Sequence, residues 1–187
     1  MKRKWQSTTG GVIFRGPCKI HPSKINIYRS GILELGAHTL IMHSVNITAS
    51  SLIKIGDYSW VVHRCQVLDT NYHYVVNLID RVIPRMTKPI IIGNYCWICN
   101  STTITGGAVI PDKTIVASNS LVNKNFSSLP PASIIGGIPA KHIKTGFRRL
   151  DALKHQRLVS KYFRDHNEEN LYNFTTEDDD IFCKAEN

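Results

Sequence analysis

The chain lacks several features that would assign it to common classes of protein. None of its apolar runs approaches twenty residues, so no segment is predicted to span a membrane. The basic start, Met1 to Trp5, continues into polar residues and glycine, so no secretory signal is predicted and we expect a cytoplasmic protein. The cysteines are odd in number and show no disulfide-type spacing; they are Cys18, Cys65, Cys96, Cys99 and Cys183.

What the chain does have is a strict six-residue repeat of aliphatic residues. A helix repeats its buried face every 3.6 residues or so and a strand every two, so neither explains a period of six. Short strands joined by tight corners do explain it, when one aliphatic residue per side points to a common axis. The repeat therefore predicts an all-β fold, a parallel β-helix of hexapeptides. Its clearest run is Ile92, Ile98, Ile104, Ile110, Val116 and Val122.

An earlier run of the same repeat precedes an interruption. This run shifts by two residues after Ile53, as a slightly enlarged corner would require, and the pattern then stops from residue 68 to residue 89. Ordering some twenty irregular residues inside a regular repeat is costly, and such insertions usually carry function. We therefore predict a protruding loop over residues 68–89. The earlier run is Leu35, Ile41, Ile47, Ile53, Ile55, Val61 and Val67.

The repeat ends after Val122, and a different pattern follows. Prolines and glycines between residues 130 and 139 are expected to turn the chain off the last coil. Farther on, Leu158, Val159, Tyr162 and Phe163 recur on one helical face, which predicts a short C-terminal helix. The predicted domains are a β-helix over residues 1–144, with its loop insertion, and a helix with an acidic tail over residues 145–187.

Charge is distributed unevenly along the chain. The net charge is +9, but residues 165–187 hold eight of the fourteen acidic residues and a single base, Lys184. The preceding residues therefore carry a net charge of +16, which predicts attraction for anions such as phosphorylated cofactors. Nucleic acid is disfavoured as a partner, because no stacking aromatic residues are interleaved with these bases.

The pair Cys96 and Cys99 forms a C-x-x-C motif, which is also found in redox and zinc sites. In the hexapeptide register, Cys96 lies four residues after one aliphatic anchor and Cys99 lies one residue after the next. These are positions for small packed residues, so packing is favoured over redox chemistry or metal binding.

Several segments, taken in order, resemble the hexapeptide-repeat, left-handed β-helix acetyltransferases, in particular the maltose, galactoside and capsular-polysaccharide O-acetyltransferases. The resemblance covers about residues 33–144, and it implies left-handed winding, acetyl-CoA as co-substrate and a homotrimer. The segments that carry it are Ile92-Gly-Asn-Tyr-Cys-Trp-Ile98, Ile104-Thr-Gly-Gly107, Val116-Ala-Ser-Asn-Ser-Leu-Val-Asn-Lys124 and Gly137-Ile-Pro-Ala-Lys141.

The interrupting loop contains the segment Asp69-Thr-Asn-Tyr-His73, which resembles the segment bearing the catalytic histidine of that family. Histidine is also the side chain best suited to remove a proton from an alcohol near neutral pH. His73 is thus the predicted general base, with a solvated loop histidine as the alternative. Asp69 is expected either to orient the imidazole or only to cap the turn.

The same resemblance places the cofactor in a cleft between subunits of the trimer. It implies that Trp97 and Asn100 line the reactive end and that Ser118 flanks the pantetheine arm, although Trp97 could instead be a corner aromatic packed between coils. The basic residues near the end of the repeat are expected to meet the phosphates of coenzyme A. The implied cofactor-binding residues are Trp97, Asn100, Ser118, Asn123, Lys124, Lys141 and Lys144.

Alternatives remain at this stage. His38 and His43 have the ligand spacing of the γ-class carbonic anhydrases, but the position expected for a third histidine falls at Lys2, so no metal is predicted. The predicted function is transfer of an acetyl group to a sugar hydroxyl of a surface or capsular glycan. The rivals are a xenobiotic O-acetyltransferase of the chloramphenicol or virginiamycin type, an amino-sugar N-acetyltransferase and a non-enzymatic β-helix scaffold.

Overall fold

Seventeen short β-strands and one α-helix make up residues 10–174, the part of the chain that the computed structural model describes. The strands before the interruption are β1 Gly11–Phe14, β2 Lys19–Ile20, β3 Lys24–Ile27, β4 Ile32–Leu35, β5 Leu40–Ile41, β6 Asn46–Ala49, β7 Leu52–Ile55, β8 Trp60–Val61 and β9 Gln66–Leu68. Those after it are β10 Ile90–Ile92, β11 Trp97–Ile98, β12 Thr103–Thr105, β13 Val109–Ile110, β14 Ile115–Val116, β15 Leu121–Val122, β16 Ser133–Gly137 and β17 Ala140–Thr145. The helix, α1, is Leu153–Asp165.

The strands up to β15 enter three parallel sheets in turn. Each strand therefore pairs with the strand three places earlier in the chain. The first sheet has the order β1-β4-β7-β10-β13, the second β17-β16-β14-β11-β8-β5-β2 and the third β15-β12-β9-β6-β3. Among the strands of residues 10–174, only β17 runs antiparallel, alongside β16. The result is a three-sided parallel β-helix. We name its edges the first corner (first to second sheet), the second corner (second to third sheet) and the third corner (third to first sheet).

The aliphatic repeat forms the core, as the sequence predicts. All thirteen anchors of the two runs are at most 1% exposed. Each fully buried isoleucine contributes roughly 1.5–3 kcal/mol of hydrophobic stabilisation relative to an exposed one. The two-residue shift has a clear origin, because Ile53 and Ile55 both face inward from β7. They pair with Ile90 and Ile92 of the next coil.

Side chains at the first corner tie successive coils together. The backbone N–H of Ala37 donates to Asp57 Oδ1 at 2.7 Å, and that of Asp57 donates to Asn94 Oδ1 at 2.8 Å. The N–H of Asn94 donates in turn to Asp112 Oδ1 at 2.8 Å. Glycine precedes this corner because a Cβ on Gly93 would lie 2.4 Å from Asp112 Oδ1, well inside contact distance.

The predicted loop protrudes from the third corner as an antiparallel arm, which we define as residues 69–89. At its base Thr70 bridges Thr87, and near its tip Asn77 bridges Val82. Asn77 Oδ1 also accepts the backbone N–H groups of Ile79 and Asp80, which closes the tip. Large apolar side chains along the arm are at least half exposed: Tyr72, Tyr74, Val75, Val76, Leu78, Ile79, Val82 and Ile83.

The described chain divides into two compact units, one ending at Arg148 and the other beginning at Arg149. The predicted boundary after residue 144 would fall inside β17, one residue before its end. The second unit contains α1, which confirms the predicted C-terminal helix. Among the described helices, none has the length and apolarity needed to cross a membrane. Residues 1–9 and 175–187, which include Lys2, Cys183 and most of the acidic tail, lie outside the described part of the chain.

Candidate active site

Asp69 fixes the root of the arm. Its carboxylate is fully buried, and its two oxygens accept the backbone N–H groups of Ser50 and Ser51, each at 2.7 Å. The N–H of Lys88, at the other end of the arm, donates to the Asp69 carbonyl at 3.0 Å. Burial raises the pKa of the Asp69 carboxyl, and the backbone N–H groups oppose that rise. The contacts made by this carboxylate are those of a turn cap.

His73 lies four residues farther along the arm and is exposed to solvent. Within residues 10–174, its side chain has no hydrogen-bond or ion-pair partner. An exposed imidazole on a projecting arm can reach a bound substrate. The arrangement leaves His73 available as a base and does not join it to Asp69.

Tyr72 is a residue whose role the sequence did not reveal. Its hydroxyl donates to Thr48 Oγ1 at 3.0 Å, and its ring packs edge-to-face against Tyr28 at 6.5 Å between centroids. Thr48 is on β6 and Tyr28 follows β3, so both belong to coils that precede the arm. Tyr72 therefore holds the residue next to His73 against the third sheet. No local sequence signal marks this contact, because it depends on how distant coils align.

Trp97 lies on the flat second sheet and not at a corner. It is half-buried on β11, between Trp60 of β8 and Ile115 of β14. These residues belong to an outward-facing apolar row whose members are all half-buried: Leu40, Trp60, Trp97, Ile115 and Ile134. A row of large apolar side chains on a sheet surface offers a platform for an apolar partner or ligand.

Asn100 and Ser118 occupy equivalent places on the second corner. Each lies two residues after a strand of the second sheet, β11 for Asn100 and β14 for Ser118. The two coils are adjacent there, because the N–H of Asn119 donates to the Asn100 carbonyl at 3.0 Å. Both residues are exposed. The structure thus brings this predicted pair together, beside the outward face that carries Trp97.

Lys141 and Lys144 lie on β17, at the C-terminal edge of the same sheet. Lys144 is paired with Ile134, which continues the row from Trp97 through Ile115. Its ammonium lies 4.3 Å from the centroid of the Phe147 ring, a cation–π distance. Both lysines are exposed, so they can contact a polyanion.

Asn123 and Lys124 lie elsewhere, on the third corner after β15. The Lys124 ammonium is 5.2 Å from the centroid of the Phe126 ring. The arm begins at this same corner after β9, and only β12 lies between β9 and β15 in the third sheet. In a single chain, Asn123 and Lys124 therefore share an edge with the His73 arm.

The predicted site residues consequently fall into two groups within one chain. Trp97, Asn100, Ser118, Lys141 and Lys144 lie on the second sheet and its second corner. The arm with His73 leaves from the third corner, which in a three-sided prism is the edge opposite the second sheet. One chain therefore does not bring His73 and Trp97 to the same surface.

Of the two C-x-x-C cysteines, Cys96 is buried between coils and Cys99 is half-buried. Cys96 Sγ donates to the Pro111 carbonyl at 3.1 Å, and Cys65 Sγ donates to the Cys99 carbonyl at 3.1 Å. Burial raises the pKa of the Cys99 thiol to about 11, which disfavours the reactive thiolate. His38 and His43 lie on different corners, where His38 stacks on Tyr58. Across residues 10–174, no group of three or more histidine, cysteine or acidic side chains is placed to hold a metal ion.

A three-sided parallel β-helix with a hexapeptide repeat and an inserted arm is the architecture that the sequence resemblance predicts. No protein-family model matches the chain. It is 28% identical over 140 residues to a proposed colanic acid biosynthesis acetyltransferase, WcaF, of Escherichia coli strain K12. That match covers 75% of this chain and 59% of WcaF. A shorter match, 45% identical over 56 residues, is to a chloramphenicol acetyltransferase of Morganella morganii and covers 30% of this chain and 25% of that protein.

Solved structures confirm the fold. The polySia-specific acetyltransferase NeuO superposes with a TM-score of 0.62 at 21% identity, covering 83% of this chain and 77% of NeuO. A hexapeptide-repeat acetyltransferase of Vibrio cholerae O1 biovar eltor, complexed with acetyl coenzyme A, superposes with a TM-score of 0.56 at 24% identity. The match covers 71% of this chain and 72% of that protein. These matches show that the chain has the β-helix fold of the hexapeptide-repeat acetyltransferases to which it is similar.

Proposed function

We propose that the protein transfers an acetyl group from acetyl-CoA to a sugar hydroxyl of a surface or capsular glycan, or of its precursor, in the cytoplasm. The observation that carries this proposal is the arm, which presents an exposed histidine at the interruption of an otherwise regular acetyltransferase repeat. Support for a glycan acceptor comes from the match to WcaF, which is named for colanic acid biosynthesis. Support for the donor comes from the acetyl coenzyme A bound by the Vibrio cholerae protein.

In the proposed reaction His73 is the general base of a direct transfer. The imidazole takes the proton of the acceptor hydroxyl while that oxygen bonds to the carbonyl carbon of the acetyl thioester. Backbone N–H groups stabilise the oxyanion, the carbon–sulfur bond then breaks, and the thiolate of coenzyme A receives the proton from the imidazolium. The role of Asp69 is indirect, since its carboxylate fixes the root of the arm on Ser50 and Ser51.

The proposal includes a homotrimer in which the site forms between neighbouring chains. Two observations support it. The arm leaves from the edge opposite the second sheet, so His73 can meet Trp97 only on another copy. The exposed apolar residues of the arm and the half-buried apolar row of the second sheet are both surfaces that favour burial against a partner. A closed ring of three copies satisfies every arm and every sheet in the same way.

Coenzyme A is proposed to lie along the second sheet and second corner of one chain. Its reactive end would lie by Trp97 and Asn100, its pantetheine arm by Ser118 and its phosphates by Lys141 and Lys144. The exposed ammonium groups and the apolar row between them fit a ligand that is polyanionic at one end and extended at the other. Asn123 and Lys124, on the third corner, would reach the same cleft from the neighbouring copy.

The test is turnover of acetyl-CoA with a panel of candidate sugars, followed by mass spectrometry of the sugars. His73→Ala should lower turnover by ~100-fold or more, the usual scale for loss of a general base. His166→Ala, which removes an exposed histidine of the second unit, serves as the control and should leave turnover unchanged. Near-normal turnover by the His73 variant would refute the assignment. Failure of acetyl-CoA to stabilise the protein thermally would favour a scaffold without enzymatic activity.

A second candidate is a xenobiotic O-acetyltransferase. The match that favours it is the 45% identity to chloramphenicol acetyltransferase, although it covers only 56 residues. The same assay separates the two functions when chloramphenicol is added to the acceptor panel. Acetylation of chloramphenicol with a kcat/KM above that of every sugar tested would favour this second function.

A further inference from the structure

The second corner carries a column of histidines on its N-terminal coils. The rings of His21 and His43 are 4.5 Å apart between centroids, and those of His43 and His63 are 5.9 Å apart and almost parallel. His43 and His63 each lie two residues after a strand of the second sheet, the same place that Asn100 and Ser118 occupy on later coils. The column therefore runs directly into the corner assigned above to the reactive end of the cofactor.

The surroundings of this column are basic. Lys19 lies on β2, two residues before His21; Lys24 begins β3, and Arg64 follows His63. All three are exposed. Within the described residues, Arg64 has no ion pair. We define the histidine ridge as Lys19, His21, Lys24, His43, His63 and Arg64.

Within residues 10–148, no carboxylate lies in the histidine ridge. The described part of the first unit has five acidic residues, and every one is placed elsewhere. Glu34 is on the first sheet, paired with Arg15 and Lys54, and the others cap the first corner, root the arm or lie at its tip. Those others are Asp57, Asp112, Asp69 and Asp80. The pKa of His21 is lowered, first by burial and then by charge repulsion from His43, Lys19 and His63.

A cationic ridge of this kind is stabilised when an anion lies along it. Coenzyme A does not need the ridge, because its proposed place extends toward Ser118, Lys141 and Lys144 at the other end of the sheet. The ridge lies on the other side of the reactive end, where coenzyme A does not extend and an acceptor could bind. Successive coils are about 4.8 Å apart, so the N–H donors of the ridge form a ladder along the corner that suits an extended chain.

We propose that the acceptor is an acidic saccharide, whose carboxylate, sulfate or phosphate groups lie along the histidine ridge while its reacting hydroxyl meets His73 of a neighbouring copy. This inference rests on the proposed function and narrows it from sugars in general to anionic ones. The N–H groups of the imidazoles donate to the acidic groups, and Arg64 with the two lysines supplies positive charge. A neutral saccharide of the same length gains none of these contacts.

The experiment uses a matched pair of probes, a fluorescent galacturonate hexamer and its full methyl ester, with the intact protein. We expect the acid to bind several-fold more tightly than the ester. The double variant His43→Gln with Arg64→Gln should weaken binding of the acid by about threefold to tenfold, because individual exposed charge contacts contribute modestly to binding. Lys54→Gln removes one positive charge from the first sheet and should leave binding unchanged.

Thermal stabilisation by coenzyme A is measured in parallel for every variant, and circular dichroism confirms that each one folds. Equal binding of the acid and the ester, or unchanged binding by the double variant, would overturn the proposal that the ridge binds an acidic acceptor. Stabilisation by coenzyme A in the same experiment would still uphold the proposed function. If coenzyme A stabilises no form of the protein, the proposed function fails, and the acceptor site on the ridge fails with it.

Discussion

The hydroxyl of Tyr72 donates to Thr48 Oγ1 at 3.0 Å, so the residue beside His73 is fixed to β6, in the second coil of the β-helix. This bond, rather than a contact to His73 itself, sets where the arm starts its path away from the third sheet. The catalytic proposal places the imidazole on a projecting arm, so its position depends on how firmly the root of that arm is held.

Tyr72→Phe tests this relationship. Removal of one hydroxyl should cost about 0.5–1.5 kcal/mol of stability at most, because Thr48 keeps its bond from Asn26. The larger effect should be on kcat, which we expect to fall several-fold while the KM for acetyl-CoA stays constant. Steady-state kinetics and hydrogen exchange at the base of the arm measure both. An unchanged kcat with faster exchange would show that the root contact is structural only.

Asp69→Asn should destabilise the protein strongly. The amide can accept one of the two backbone N–H groups of Ser50 and Ser51, but its NH₂ faces the other, which is left buried and unpaired. We expect a loss of about 1–3 kcal/mol in the free energy of unfolding, measured by urea denaturation. Asp112→Asn is the matched control, because Asp112 is exposed and its carboxylate accepts a single backbone N–H, from Asn94. Equal losses for the two variants would contradict the assigned role of Asp69.

Lys141→Gln combined with Lys144→Gln should raise the KM for acetyl-CoA by about tenfold and leave kcat largely intact, because these residues are proposed to contact the phosphates and not the acetyl group. Lys54→Gln controls for the loss of positive charge. A double variant with a normal KM would remove both lysines from the proposed cofactor site.

The thiol of Cys99 should react slowly with iodoacetamide near neutral pH. Burial raises its pKa to about 11, and the reactive thiolate is the deprotonated form. The alkylation rate should therefore keep rising between pH 8 and pH 11, whereas an ordinary cysteine approaches its plateau near pH 9 or 10. Peptide mass spectrometry follows Cys99 individually. Rapid labelling of Cys99 at pH 7.5 would reopen redox chemistry for the C-x-x-C motif.

The sequence predicted the β-helix because its period is a direct consequence of the geometry. Each aliphatic anchor from Ile92 to Val122 is buried, and the interruption after Leu68 does form an arm. The anchor pattern could not place Trp97, which lies on a flat sheet rather than a corner, because a period of six identifies inward positions and says little about outward ones. The contact between Tyr72 and Thr48 was beyond prediction, since it depends on the side chains of residues that lie in different coils.

The relation between His73 and Trp97 could not be derived from the sequence alone either. The family resemblance assigned both residues to one site, but the prism directs the arm and the second sheet to opposite sides. The family resemblance supplied the trimer that would reconcile them. The histidine ridge was also hidden, because His21, His43 and His63 are about twenty residues apart and meet only when successive coils stack.

Complementation between two inactive variants tests the central claim most directly. His73→Ala lacks the proposed base, and Trp97→Ala with Lys141→Gln and Lys144→Gln lacks the proposed cofactor face. If each site joins the arm of one chain to the sheet of another, random mixing of equal amounts should restore about a quarter of the wild-type activity, because one in four junctions is then intact. Native mass spectrometry verifies that mixed trimers form. Mixed trimers without recovered activity would contradict a site shared between neighbouring chains.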